Sequence, residues 1–166
     1  MRKNNPQKVI AEFKKRNITL SCAESFTGGL FASTLVSIPG CSAVFKGGVT
    51  TYSSESKIKI LGVKKETIDK FDVVSKEVAI EMANRIRKKL NTDVAVSFTG
   101  NAGPTKENGN APVGTCYIAI STKNKTEVYK KIFKLDREKI RINAVDFVLE
   151  KISSKNFLVK FQNFAK

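Results

Sequence analysis

Residues 18–38 read ITLSCAESFTGGLFASTLVSI, and this stretch predicts a strand, a tight turn and a helix in succession. Its first six residues, ITLSCA, are apolar and β-branched enough for a short buried strand. Residues 24–29 then break the strand, and apolar residues return at helical spacing over residues 30–38. Open α/β sheets bind ligands at the carboxyl ends of their strands. The turn at residues 24–29 is therefore the first candidate for a functional site.

Outward from this unit, the chain alternates between helical and strand patterns. Apolar stripes with a period of three to four residues predict helices over residues 6–17, 54–60, 66–71, 76–90 and 137–152. Short apolar runs bounded by turn residues predict strands over residues 43–52, 93–99, 113–121 and 126–134. Gly47 and Gly48 interrupt the first of these strands, either as a bulge or as a close approach between backbones.

Several helix ends carry recognisable signals. Ser53 or Ser54 is expected to cap the short helix that runs to Ile60, and Gly62 is expected to end it. Ser75 and Asp136 are the expected caps of the two longest helices.

The order of these elements predicts the fold class. Helices alternate with strands early in the chain, and residues 122–125 are few enough to join the last two strands as an antiparallel hairpin. We therefore expect an α/β fold, a three-layer α/β/α sandwich with a mixed central sheet. A chain of 166 residues is also of the size of one domain, so residues 1–166 are expected to form a single unit.

The composition excludes several kinds of chemistry. The chain contains no histidine, which rules out a Ser-His-Asp triad, a Cys-His pair and a His-ligated zinc site. Its three cysteines are far apart in sequence and form no CxxC motif, so we expect no metal, no cofactor and no disulfide framework. Neither an apolar leader nor a membrane-length apolar run is visible, and a cytoplasmic protein is expected.

The charge balance points to an anionic partner without identifying it. Thirty Lys and Arg residues face 15 Asp and Glu residues, giving a net charge of +15 and a pI near 9.9. Such an excess attracts phosphorylated metabolites, nucleic acids or acidic membranes. Most of these residues are scattered lysines, whereas nucleic-acid readers more often carry arginine clusters and interleaved aromatic residues. We therefore expect no specific nucleic acid and no membrane among the partners.

Ser25 lies in the turn that follows the first strand, and two interpretations of this turn remain open. Backbone N–H groups of Gly28 and Gly29, at a helix N-terminus, are suited to hold a phosphate or an oxyanion beside the Ser25 hydroxyl. Alternatively, Ser25 and Thr27 only cap the helix, and the two glycines only permit tight packing.

A nucleophilic serine requires a base, and without histidine the candidate is a lysine that burial makes neutral. Lys57 is our choice. It follows Tyr52 by five residues, about 500° around a continuous helix, so the two share a face only if the chain breaks between them. The alternative is that Lys57 is solvated, as expected for its neighbours Lys59 and Lys64.

Two further groups are weaker candidates. Residues 99–104 (TGNAGP) form a small-residue loop at a strand end, where Thr99 and Gly100 are able to offer a hydroxyl and backbone donors to a substrate. Arg137 and Arg141 are one helical turn apart and are able to reach a phosphate together, although solvated arginines are the default alternative.

Together these motifs resemble those of a known family, the C-terminal domain of competence-damage-inducible protein A (CinA), whose characterised members are nicotinamide mononucleotide (NMN) deamidases. The matching segments occur in order along nearly the whole chain. They are Ala23-Glu24-Ser25-Phe26-Thr27-Gly28-Gly29, residues 48–57, Val74-Ser75, residues 99–104 and Pro112-Val113-Gly114-Thr115.

The resemblance implies hydrolysis of NMN to nicotinate mononucleotide and ammonia, without a metal. It implies that Ser25 is the nucleophile, Lys57 its general base and Tyr52 a supporting hydrogen-bonding group. Thr99 and one arginine of the last helix match substrate-site positions, with Arg137 favoured over Arg141. The N–H groups of Thr27, Gly28 and Gly29 are expected to stabilise the oxyanion.

The chain departs from the family at two positions, with Phe26 where cysteine is frequent and Asn101 where an apolar residue is frequent. Larger members also carry an N-terminal domain resembling molybdopterin-binding proteins, and we expect this chain to be the standalone form. We also expect a homo-oligomer. The alternatives to an amidase are a catalytically silent nucleotide-binding module and a basic nucleic-acid-binding protein.

Overall fold

The computed structural model describes residues 6–105 and 111–162, and its centre is a five-stranded mixed sheet. The strands are β1 (Leu20–Glu24), β2 (Phe45–Thr50), β3 (Val94–Gly100), β4 (Thr115–Thr122) and β5 (Thr126–Ile132). Their order across the sheet is β2-β1-β3-β4-β5. β1 is parallel to both of its neighbours, whereas β4 is antiparallel to β3 and β5. The predicted mixed sheet and the final hairpin are therefore confirmed.

Helices cover both faces of the sheet. They are α1 (Pro6–Lys15), α2 (Leu30–Val36), α3 (Ser54–Ser56), α4 (Lys65–Phe71), α5 (Lys76–Lys89), α6 (Arg137–Ser153) and α7 (Lys155–Gln162). A 3-10 turn at Cys41–Ala43 and a π-helical turn at Lys57–Leu61 complete the elements. α1, α2, α6 and α7 pack into the larger apolar core on one face, and α5 packs on the other. The predicted three-layer sandwich is confirmed.

The helix signals in the sequence act as expected. The side chains of Ser53, Ser75 and Asp136 accept hydrogen bonds from backbone N–H groups in the first turns of α3, α5 and α6. Gly62 ends the π-helical turn with a φ of 81°, in the left-handed region that glycine adopts without strain.

The last helix, α7, was not predicted. Its residues Phe157 and Leu158 are buried, and the Phe157 ring stacks on Phe13 of α1 with 6.4 Å between ring centroids. Residues 153–156 (SSKN) interrupt the apolar spacing of the preceding helix. The segment that follows them is too short to show a clear helical periodicity of apolar residues. Packing against α1 therefore stabilises an element that the local sequence indicates only weakly.

Both interpretations of the glycines in β2 apply. The pairing of β1 with β2 is irregular, because Leu20 and Ser21 face Phe45 and Gly47 and thereby skip one residue of β2. A Cβ atom on Gly48 would lie 2.4 Å from Cys22 Sγ, so only glycine fits there.

The register aligns the carboxyl ends of the three parallel strands, since Glu24 pairs with both Thr50 and Phe98. The segments that follow these strands are thereby placed at one edge of the sheet. Over the residues that the structure describes, no helix is both long and apolar enough to cross a membrane.

Candidate active site

The structure brings Ser25 and Lys57 into direct contact at the carboxyl edge of the sheet. Lys57 Nζ lies 2.9 Å from Ser25 Oγ and donates a second hydrogen bond of 2.8 Å to the Thr51 carbonyl oxygen. Lys57 is fully buried and Ser25 is 7% exposed. The backbone N–H of Ser25 donates a hydrogen bond to the Phe98 carbonyl, so Ser25 is anchored to the neighbouring strand. A buried amine next to a serine hydroxyl is the arrangement that serine activation by lysine requires.

The path of the chain from β2 explains how Lys57 reaches this position. β2 ends at Thr50, Ser53 caps the single turn of α3, and the chain then opens into a π-helical turn that begins at Lys57. This is the break between Tyr52 and Lys57 that a shared cleft requires. The alternative of a solvated Lys57 is wrong, although Lys59 and Lys64 are exposed as expected.

Burial lowers the pKa of Lys57 from 10.5 to about 8, since an ammonium group loses hydration in the protein interior. Its two described hydrogen-bond partners are a hydroxyl and a carbonyl, and neither carries a compensating negative charge. A substantial fraction of Lys57 is therefore neutral and able to accept a proton slightly above neutral pH.

Ser25 and Lys57 line a small cavity of about 60 Å³, and Tyr52 and Arg137 also line it. Arg137 donates one hydrogen bond of 2.7 Å to the Tyr52 hydroxyl and another of 2.7 Å to the Gly103 carbonyl. Tyr52 is 52% exposed. Tyr52 thus lies at the cavity as predicted, but its hydroxyl is bonded to Arg137 and not to Ser25 or Lys57.

The turn after Ser25 differs from both interpretations of the sequence. Glu24, which is buried, accepts hydrogen bonds from the N–H groups of Gly29, Phe31 and Ala32. Glu24 therefore caps α2, and the prediction that Ser25 or Thr27 does so is wrong. The carboxylate was missed because it precedes the helix by five residues, outside the spacing of an ordinary N-cap.

This geometry also corrects the expected oxyanion donors. The N–H of Gly28 donates to the Ser25 carbonyl at 3.0 Å, and that of Gly29 donates to Glu24 at 3.1 Å, so neither is free. None of Thr27, Gly28 and Gly29 lines the cavity, whereas Phe26 does. Among the described residues, no acceptor is found for the N–H groups of Phe26 and Thr27. Of the predicted donors, only the Thr27 N–H is therefore without an acceptor, and the unpredicted Phe26 N–H belongs to a residue that lines the cavity.

The remaining predicted residues separate into two groups. Thr99 and Gly100 line the cavity, but the Thr99 hydroxyl already donates a hydrogen bond of 2.8 Å to the Val73 carbonyl. Arg141 does not line the cavity. It donates a hydrogen bond of 2.8 Å to the Thr27 carbonyl, and this bond holds the turn against α6. Of the two arginines, only Arg137 is therefore placed to meet a ligand in the cavity.

Asn101 also lines this cavity and ties the following loop together. Its side-chain oxygen accepts a hydrogen bond of 3.1 Å from the Gly103 N–H, and its amide nitrogen donates one of 3.3 Å to the Ala111 carbonyl.

Val73 and Val74 form another part of the wall and were not expected there. The available signals were their position before the cap residue Ser75 and the presence of Val74-Ser75 among the segments that resemble the family. In the described part of the chain, no cluster of three or more Cys, Asp or Glu residues suited to a metal ion occurs.

The fold and the site define a class of protein: an α/β/α sandwich with a buried serine–lysine pair at the carboxyl edge of its parallel strands. The family model for the CinA C-terminal domain matches residues 2–155. The chain belongs to the CinA C-terminal domain family.

Comparisons with individual proteins agree. A CinA-like protein of Kosmotoga olearia is 48% identical over 142 residues, 86% of this chain and 34% of that protein. A putative competence-damage inducible protein of Clostridioides difficile is 46% identical over 138 residues, 83% of this chain and 33% of that protein. The chain thus spans about a third of the length of these relatives.

Solved structures show the same fold. The crystal structure of a CinA superfamily protein from Klebsiella pneumoniae 700603 is 29% identical, with a TM-score of 0.88 and coverage of 93% of this chain and 96% of that one. The competence/damage inducible protein CihA from Agrobacterium tumefaciens is 32% identical, with a TM-score of 0.85 and coverage of 95% and 93%.

Proposed function

We propose that the protein is a nicotinamide-nucleotide amidase that hydrolyses NMN to nicotinate mononucleotide and ammonia. The observation that carries this proposal is the 2.9 Å contact between Lys57 Nζ and Ser25 Oγ in a buried site. Carboxamide hydrolysis by an acyl-enzyme route needs a nucleophile, a base that is neutral near physiological pH and donors for an oxyanion. The site offers all three without histidine.

The first half of the reaction starts with neutral Lys57. Its amine takes the proton of Ser25 as Oγ attacks the carboxamide carbon, and the carbonyl oxygen becomes an oxyanion. The N–H group of Phe26 is the proposed oxyanion donor, because Phe26 lines the cavity and the N–H groups of Gly28 and Gly29 are already engaged. Such donors contribute about 3 to 4 kcal/mol each in other hydrolases.

The intermediate then collapses. The ammonium of Lys57 returns its proton to the leaving nitrogen, ammonia departs, and the nicotinoyl group remains as an ester on Ser25. Lys57 takes a proton from water as the water oxygen attacks this ester, and it then returns the proton to Ser25 Oγ as the ester bond breaks, which releases the carboxylic acid and restores neutral Lys57.

The 5′-phosphate of the nucleotide is assigned to Arg137, since a guanidinium group matches phosphate in charge and geometry. The cavity of about 60 Å³ is too small for a whole nucleotide, so the carboxamide end enters it and the phosphate stays outside, where the exposed Arg137 is accessible. To bind the phosphate, Arg137 exchanges its bonds to Tyr52 and Gly103 for phosphate oxygens. NMN should accordingly be preferred over nicotinamide riboside.

The test is ammonia release from NMN by wild-type protein, Ser25→Ala and the control Ser33→Ala, which removes an exposed hydroxyl of α2. Wild type and Ser33→Ala should turn over at similar rates, and Ser25→Ala should lose about a thousandfold or more in kcat. NMN binding, measured by calorimetry, should persist in Ser25→Ala. Wild-type protein that binds NMN but releases no ammonia would instead be a silent nucleotide-binding module.

A further inference from the structure

A second and much larger cleft adjoins the Ser25 cavity. Its volume is about 640 Å³, against about 60 Å³ for the cavity, and the two share Val73, Val74 and Ala111 as a common wall. Ligand sites for small molecules have volumes of about 300–1,000 Å³. The cleft is therefore of the right size for a ligand that the cavity itself cannot hold.

The walls of the cleft combine aromatic faces with amines. Phe71 at the end of α4 is 40% exposed, and Tyr117 lines the cleft from β4. Lys70 Nζ lies 5.0 Å from the centroid of the Phe71 ring, and Lys130 Nζ lies 5.8 Å from that of Tyr117. A flat ring is able to stack on such faces, and an anion attached to it is attracted by the amines.

The charges in the cleft favour an anion. Neither Lys70 nor Lys130 forms an ion pair within the described residues, as the contacts of their amines are to aromatic rings. The two carboxylates that line the cleft are engaged: Asp69 pairs with Lys65, and Asp72 accepts the Val73 N–H at 2.6 Å. The Asp72 carboxylate keeps its charge in this hydrogen bond, so the two amines face one carboxylate and the lining retains a net positive charge.

One buried polar group in the wall also lacks a partner. Thr115 lines the cleft from the start of β4 and is 2% exposed, yet its hydroxyl has no hydrogen-bond partner in the part of the chain that the structure describes. A buried hydroxyl without a partner is unfavourable, and a ligand that supplies a hydrogen-bond partner would remove this cost.

From these observations we propose that the cleft binds a purine nucleotide, with the base against Phe71 and Tyr117 and the phosphate near Lys70 and Lys130. The shared wall allows two sources of this chemistry. The nucleotide is either a free purine mononucleotide or the adenylate half of a dinucleotide whose nicotinamide end lies at Ser25. The second source rests on the proposed amidase function, whereas the first does not.

The test is calorimetric titration of the full chain with AMP, using Lys130→Ala and Lys131→Ala as a matched pair. Both variants lose one positive charge from β5, but Lys131 Nζ lies 4.2 Å from the Phe147 centroid on α6, on the opposite face of the sheet. Lys130→Ala should weaken AMP binding about tenfold, the loss of one charge-assisted hydrogen bond, and Lys131→Ala should change it less than about twofold. Phe71→Ala should weaken binding by a similar factor through lost stacking.

Two results would overturn the proposal. One is no AMP binding to folded wild-type protein, and the other is equal weakening of AMP binding by Lys130→Ala and Lys131→Ala, which indicates attraction to net charge alone.

Turnover assays then distinguish the two sources of the nucleotide. Deamidation of nicotinamide adenine dinucleotide with a KM that Lys130→Ala raises, at an unchanged KM for NMN, identifies the dinucleotide. AMP binding that depends on Lys130, without dinucleotide turnover, identifies a free nucleotide. AMP binding without any ammonia release from NMN would contradict only the amidase function.

Discussion

Lys57 is the residue on which the proposed chemistry depends, and its surroundings suit a base better than an ion pair. The carboxylate next to Ser25 in sequence, Glu24, is turned to the N–H groups of α2 and to Cys22 Sγ. Glu24 is thus engaged as a cap and is a poor alternative base. Burial without a carboxylate partner is what lowers the pKa of Lys57 to about 8.

The first prediction concerns the pH dependence of deamidation. Because the neutral amine is the active form and the pKa of Lys57 is about 8, kcat/KM should rise with pH and level off above about pH 9. The measurement is a pH–rate profile with NMN from about pH 6 to pH 10.

Cysteines are the natural control for this profile. Burial raises the pKa of Cys116 to about 12 and that of Cys22 well above its ordinary value, which removes both from the relevant pH range. Replacing Cys22, Cys41 and Cys116 together with alanine should leave the rising limb in place. A limb that disappears with the cysteines, or activity that stays flat down to about pH 5, contradicts the lysine mechanism.

The second prediction concerns the cooperation of Ser25 and Lys57. Two groups that act as one unit give non-additive losses, so Ser25→Ala, Lys57→Ala and the double variant should have similar residual kcat values. Ammonia release under single-turnover conditions measures this. If the losses multiply in the double variant, the two side chains act independently and the proposed proton transfer is wrong.

At the scale of elements, the contact between Glu24 and α2 fixes the geometry of the turn that contains Ser25. Glu24 is the last residue of β1, and its carboxylate receives three N–H groups from Gly29 and the first turn of α2. The turn that contains Ser25 is thereby held between a strand and a helix start. Arg141 of α6 secures the same turn through the Thr27 carbonyl.

The third prediction follows from this contact. Glu24→Gln retains the shape of the side chain but removes its charge and one acceptor oxygen, so it should lower the free energy of unfolding by about 2 kcal/mol. The matched control is Glu66→Gln in the first turn of α4, where the side chain is exposed and the change should be about 0.5 kcal/mol or less. Urea denaturation of both variants measures the difference. Equal small effects would mean that Glu24 is not the effective cap of α2.

For the whole molecule, a buried lysine has a cost in stability. Below about pH 8 the folded protein holds an ammonium group that has no counter-ion among the described residues, whereas the unfolded chain exposes it to water. Between about pH 8 and 10.5 the unfolded chain still binds this proton and the folded protein does not, so stability rises with pH across this window.

The fourth prediction uses Lys57→Met, which retains the length of the side chain without its charge. The free energy of unfolding of wild type minus that of the variant should increase by about 3 kcal/mol between about pH 7 and pH 10. Other groups titrate equally in both proteins and cancel in the difference. A difference that does not change with pH would show that Lys57 keeps its ordinary pKa in the folded state.

The sequence by itself determined the fold class and most helix ends. Alternating helix and strand patterns, a short hairpin connection and the caps Ser53, Ser75 and Asp136 act over a few residues, so they are legible without the fold. The homo-oligomer expected from the sequence stays a prediction. Within the site, the absence of histidine and the position of Ser25 led to a lysine base, and the resemblance to the family supported Lys57.

Only the tertiary structure decided which groups meet. Ser25 and Lys57 are 32 residues apart, and their contact depends on the register of β1 with β2 and on the π-helical turn. The contacts of Glu24, Arg137 and Arg141 likewise depend on which neighbours folding brings within hydrogen-bond distance. The physical reason is that periodicity and capping are local properties of the chain, whereas burial, hydrogen-bond partners and the pKa of Lys57 arise from segments that folding brings together.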